Sequence, residues 1–163
     1  MNAIPPDTGG IMRDHTFYMQ KALEQARKAE TCGEVPVGAV LVDANGKILA
    51  ETFNQTIGLN DPTAHAEILS LRKSGEIVRN YRLLNTSLYV TVEPCAMCMG
   101  AVIHARINRV IFGVHDPKWG AAGSVYDFAT DGRFNHRPEI VSGICERDCR
   151  DLLVNFFRVR RKS

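Results

Sequence analysis

The chain has 163 residues, 45% hydrophobic and 23% charged, with a formal net charge of +2. That size and balance suit a single compact domain able to bury most of its apolar surface. No apolar run approaches the roughly 20 residues that a membrane-crossing helix needs, and there is neither an internal repeat nor a low-complexity tract. The first ten residues hold two prolines, two glycines and no apolar run of the kind a signal peptide requires. They read as the start of a disordered leader, residues 1–12. A periodic pattern begins only after Met12, so a chain starting there is expected to function. Five cysteines, an odd number, include Cys95 and Cys98 as a Cys-x-x-Cys pair. In an intracellular chain that pattern favours metal or redox chemistry over a disulfide framework, and a cytoplasmic setting is expected.

From Asp14, a good N-cap, the residues Phe17, Met19, Ala22, Leu23, Ala26 and Ala29 recur at helical spacing. This first helix is expected to stop near Gly33. Residues 37–42 and 47–50, apolar apart from Lys47, flank Asn45-Gly46, a pair at ease with positive φ, which predicts two antiparallel strands joined by a tight hairpin. Pro62 can occupy the first turn of a second helix that runs through Ile68, Leu69 and Leu71 to a break at Gly75. Residues 88–92 read as a buried strand, Pro94 as the opening of a third helix through Val102 and Ile103, and residues 109–114 as another strand. Residues 115–136 are rich in Gly, Asp and Asn, lack a period, and predict a long functional loop. An apolar stretch at 140–144 leads to a last helix bearing Leu152, Leu153, Phe156 and Phe157. Alternating strands and helices call for parallel pairing with helices on the sheet faces. The expected fold is therefore α/β, a three-layer α/β/α sandwich.

The chemistry concentrates in His65-Ala-Glu67 and Pro94-Cys95-Ala-Met-Cys98. Together they offer one imidazole and two thiols. Structural zinc sites close with four protein ligands, whereas catalytic sites keep three and leave a position for water. Two residues apart in a regular helix, His65 and Glu67 would diverge. Near a helix N-terminus side chains lean outward past the end, so both can reach a metal there, while Cys95 and Cys98 share one face. Two helix N-termini and a cation are expected to hold both cysteines as thiolates. Glu67 is then placed to take a proton from a metal-polarised water, which is hydrolytic chemistry.

Taken singly, these features are ordinary: a lone Glu early in a helix often only complements the dipole. As one constellation they match the signature of zinc-dependent nucleobase deaminases. The sequence resembles the bacterial tRNA-specific adenosine deaminase family, within the cytidine deaminase-like superfamily. The resemblance rests on EVPVGAV at 34–40, DPTAHAE at 61–67, LYVTVEPCAMC at 88–98, GA at 100–101 with IH at 103–104, GAAG at 120–123 and FFR at 156–158. It implies a cytidine deaminase-like fold with a central mixed five-stranded sheet, filled by one zinc-dependent deaminase domain over residues 13–163. It further implies one Zn²⁺ per subunit on His65, Cys95 and Cys98, and Glu67 as proton shuttle.

For substrate, the resemblance implies the anticodon stem-loop of a tRNA, with adenosine at the wobble position converted to inosine. Asn54 is expected to contact the target base. Pro94, whose neighbouring backbone can hold the amino group, and Asp116, Phe156 and Arg158 complete the expected substrate contacts. A homodimer is implied as well. Trp119 departs from the family pattern, standing where a smaller residue is usual. The zinc motif alone does not name the substrate. A deaminase of free guanine or cytosine fits it too, and a non-catalytic, zinc-stabilised RNA-binding module would carry the same ligands with Glu67 dispensable. Arg158, Arg160, Arg161 and Lys162 crowd the last six residues and suit phosphate contacts, or simply a solvated helix end.

Overall fold

The computed structural model describes residues 13–163; the leader expected at residues 1–12 lies outside them. The element order is α1 (His15–Thr31), β1 (Gly38–Val42), β2 (Ile48–Phe53), α2 (Ala66–Val78), β3 (Ser87–Val92), α3 (Ala96–His104), β4 (Arg109–Val114), β5 (Glu139–Val141) and α4 (Glu146–Lys162). The five strands form one mixed sheet in the order β2-β1-β3-β4-β5. β1 pairs antiparallel with both β2 and β3, while β3 with β4 and β4 with β5 run parallel. Helices α1 and α4 touch each other over one face, and α2 and α3 touch over the other. This is the expected three-layer sandwich.

Local chemistry explains most boundaries. Asp14 caps α1, its Oδ1 accepting from the Phe17 N–H at 2.9 Å. In the hairpin, Asp43 Oδ1 accepts from the backbone N–H of Asn45 and Lys47, and Gly46 takes φ +80°, a conformation glycine adopts without steric cost. The side chains of β3 alternate across the sheet. Tyr89 reaches toward α1, its ring 5.0 Å from that of Tyr18, and the neighbouring Leu88 and Val90 pack on the opposite face. Phe112, Leu41, Ile111 and Met99 are among the fully buried side chains of the core.

Four predicted boundaries move. Pro62 does not start α2: Asp61 Oδ1 accepts from both the Thr63 N–H and its hydroxyl, which folds 61–63 into a turn, and the helix begins at Ala66 with His65 as N-cap. Gly75 does not end it. One glycine costs a helix only about 1 kcal/mol, and α2 continues to Val78, ending where Arg79 adopts the left-handed conformation at φ 54°. Pro94 likewise precedes α3 instead of opening it, because Cys95 is still extended and serves as N-cap. β2 also runs on to Phe53, since its backbone stays paired with β1 as far as Gly38.

Candidate active site

The shifted starts of α2 and α3 matter for the chemistry. His65 and Cys95 are both extended N-cap residues, so neither is bound by helical side-chain directions, and Cys98 sits in the first turn of α3. His65 Nδ1 lies 3.7 Å from Cys95 Sγ and 3.5 Å from Cys98 Sγ. Their three donor atoms all fall within 4.8 Å of one another. With Zn–S near 2.3 Å and Zn–N near 2.0–2.1 Å, a tetrahedral ion holds sulfur and nitrogen roughly 3.6 Å apart. The donor set therefore fits zinc in both chemistry and spacing, and it leaves a fourth position open.

The electrostatics fit as well. The hydrogen bond from Cys98 pushes the Cys95 thiol down to about 4, with the His65 contact adding to it. The same bond, with burial, raises Cys98. In the metal-free pair Cys95 is thus the more acidic thiol, and the two thiolates expected at the site belong to its cation-bound state. Binding a dication releases the remaining proton. The hydrogen bond with Cys95 raises the His65 imidazole.

Glu67 is 4% exposed, and its Oε2 has no hydrogen-bond partner. A buried carboxylate oxygen left without a partner is costly. Burial pushes its carboxyl up to about 7, partly offset by its own backbone N–H and by His65. A group titrating near neutrality can both take and give a proton. A bound cation pulls it back toward ionisation.

The other expected contacts divide. Asn54 is at the site: its Oδ1 accepts from the Ala66 N–H at 2.8 Å, capping α2 beside His65. The Pro94 carbonyl accepts from Ala121 N–H at 2.8 Å, so the loop after β4 closes directly over the metal ligands. Asp116 Oδ1 accepts from the backbone N–H of Lys118 and Trp119 and builds that loop's turn. Phe156 and Arg158 lie on α4, in the layer opposite α2 and α3. The Phe156 ring is buried, with the Arg160 guanidinium 4.8 Å from its centre, so it is not presented to a ligand. Arg158 is exposed.

Two carboxylates missed in the sequence organise the rim. Glu93 directly follows β3 and has a fully buried side chain. Its Oε1 accepts from the N–H groups of Ala122 and Ser124, and its Oε2 from the Asp116 N–H, the Ser124 hydroxyl and the His115 ring. Burial opposes its ionisation, but the bonds from Ser124, Asp116 and Ala122 together hold it below the usual carboxylate range. A Cβ on Gly120 would fall 2.4 Å from this carboxylate, so only glycine fits there. Glu34 is 2% exposed and accepts from Thr56 Oγ1 and from the N–H groups of Ile57 and Gly58, fixing the loop that follows Asn54. The available signal was an acidic residue set against an apolar run, at the end of β3 and just before β1.

Comparison with known proteins now separates the possibilities. Residues 12–114 match the sequence profile of the cytidine and deoxycytidylate deaminase zinc-binding region. The tRNA-specific adenosine deaminase of Haemophilus influenzae is 51% identical over 145 residues, covering 89% of this chain and 84% of that one. The chain belongs to the tRNA-specific adenosine deaminase family. A solved structure from a study of A-to-I editing by tRNA:A34 deaminases at the wobble position superposes with a TM-score of 0.83. It is 43% identical and covers 85% of this chain and all of that one. A guanine deaminase from Nitrosomonas europaea has a TM-score of 0.79 at 19% identity, covering 90% of this chain and 86% of that one, and shares the fold.

Family membership and the donor set together give a zinc-binding deaminase with His65, Cys95 and Cys98 as its metal cluster. Metal analysis should return one zinc per chain. Cys98→Ala, which removes a sulfur from a site that has no spare donor, should fall well below that under the same dialysis. Full retention of zinc in that variant would move the site elsewhere.

Proposed function

We propose that this chain converts adenosine to inosine at the wobble position of a tRNA anticodon loop by hydrolytic deamination. The observation that carries the reading is Glu67, a buried carboxylate with one unpartnered oxygen beside a three-donor zinc set. Relatives at 38–51% identity that bear the name tRNA-specific adenosine deaminase supply the substrate class. When bound, zinc polarises a water molecule so that it can act as a nucleophile near neutral pH. Glu67 takes a proton from that water as its oxygen adds to C6 of adenine, and delivers it to N1. A second proton passes through Glu67 to the amino group, which leaves as ammonia while C6 keeps the oxygen.

Asn54 orients the base. Its Oδ1 is committed to Ala66, so Nδ2 is the end that donates to a ring nitrogen. The main chain beside Pro94 and the turn capped by Asp116 form the wall against which the nucleotide is held. The target lies in a loop and not in a duplex, so splaying it outward costs only a few kcal/mol. Residues 13–163 form a single deaminase domain in this reading, acting in the cytoplasm. Among the described residues no helix is long and apolar enough to cross a membrane. A homodimer is also part of the reading. It is supported by an open groove of about 720 Å³ between α2 and α3, whose apolar lining of Ile68, Leu71, Tyr81 and Ala101 is flanked by Arg72, Glu76 and Arg79, beside exposed Ile77.

The test is incubation of the zinc-loaded protein with a stem-loop carrying wobble adenosine, and separately with free adenosine, cytidine and guanine. Inosine should form in the stem-loop alone. Turnover of guanine or a free nucleoside alone would keep the chemistry and overturn the substrate.

The basic end of α4 gives a second expected outcome. Arg160 donates to the Gly33 carbonyl and covers Phe156, so it serves the chain's own packing. Arg158, Arg161 and Lys162 are exposed and are the residues expected at phosphates. Changing those three to Ala should weaken stem-loop binding and lower the slope of log K against log salt by about 2. An unchanged slope removes the tail from the interface.

A further inference from the structure

Trp119 is the only tryptophan in the chain and is 70% exposed. Its place is not that of a loose surface side chain. Its backbone N–H donates to Asp116 Oδ1, and the next residue, Gly120, donates to the Asp116 carbonyl and pairs as a β-bridge with Cys95, one of the metal cluster. Ala121, one further on, is bonded to Pro94. The buried Glu93 carboxylate pins the same turn from beneath through Asp116, Ala122 and Ser124. Tyr126, 54% exposed, returns to this turn with its N–H on the Gly120 carbonyl. A large flat ring is thus held out into water by a rigid loop one residue from the site, where packing it inward would have been more favourable.

We propose that Trp119 is a stacking platform for an unpaired nucleobase that flanks the target adenosine. This rests on the reading that the substrate is RNA. Extruding one loop nucleotide into the pocket breaks its stacking with its neighbours. A neighbour left bare regains a partner on an exposed aromatic face, and such stacking is tolerant of base identity because every base has a π-face. Lys118, adjacent and exposed, supplies a cation for the accompanying phosphate.

The sole tryptophan makes the contact directly readable. The zinc-loaded full chain is titrated with the wobble-adenosine stem-loop while indole emission is followed, and inosine formation is measured for wild type, Trp119→Ala and Trp119→Phe. Emission should change saturably with RNA. Trp119→Ala should lose roughly 5- to 30-fold in affinity, felt in KM more than kcat, with Trp119→Phe within about threefold of wild type. A stem-loop made abasic at the stacked neighbour should bind wild type as weakly as the intact stem-loop binds Trp119→Ala, and should bind that variant no worse.

Bound and deaminated RNA that leaves emission unmoved overturns the platform. So does a Trp119→Ala variant with wild-type constants, or an emission change that follows protein concentration without RNA and so reports a second copy of the chain. Saturable quenching without inosine upholds the platform and overturns the deamination reading instead.

Discussion

Glu67→Gln is expected to lower kcat by about 10²- to 10⁴-fold while zinc content and thermal midpoint stay close to wild type. The substitution is nearly isosteric in a position that is 4% exposed, so packing against α3 is preserved. None of the three metal donors is touched. What disappears is a group able to accept a proton from water and return it to the base. The competing account, in which Glu67 only complements the N-terminal dipole of α2, assigns it no more than about 0.3–1 kcal/mol of stability. That account predicts a slightly less stable protein with full activity. Single-turnover inosine formation, read beside metal analysis and a melting curve on the same sample, separates the two. Turnover within tenfold of wild type would remove Glu67 from the chemistry.

The zinc cluster was readable in the sequence because its chemistry is carried by residue type and spacing: one imidazole, two thiols, and prolines that forecast helix starts nearby. The β1-β2 hairpin followed from the Asn45-Gly46 turn and the parallel β3-β4 pair from strand-helix alternation, whereas the antiparallel β1-β3 pair, which sets β1 between β2 and β3, had no local signal. Boundaries were less readable. Pro62 lies in a turn built by the side chain of Asp61, and Gly75 is carried inside α2; in both cases a residue with helix-end character was outvoted by its neighbours. The substrate contacts were the least legible. Phe156 entered as a substrate contact through the resemblance alone, and its burial under Arg160 is a tertiary fact with no local signature. The inequality of the two thiols was equally hidden: helix dipoles lower both alike, whereas proximity makes Cys95 the more acidic of the pair when no cation is bound.

The loop over the site tests the reach of a single buried carboxylate. Glu93→Ala is expected to destabilise the protein by about 3–5 kcal/mol, because the N–H groups of Asp116, Ala122 and Ser124 lose their acceptor, each at about 1–3 kcal/mol, with entering water recovering part. For a chain of this size that is a fall of roughly 6–20 °C in Tm. Glu93→Gln does not rescue it. Both oxygens accept, Oε1 from two N–H groups and Oε2 from an N–H and a hydroxyl, so whichever way the amide turns, its NH₂ meets a donor. Zinc content should stay near one per chain, since the three donors belong to α2 and α3 and not to the loop. Activity should nonetheless drop by about 10²-fold in kcat/KM, as expected when groups that position a substrate are displaced by about 1 Å. Melting curves, metal analysis and kinetics on the two variants together check this. A Tm within about 2 °C of wild type would mean that Glu93 does not hold the loop, and that the backbone bonds of Gly120 and Ala121 suffice to close it over the site.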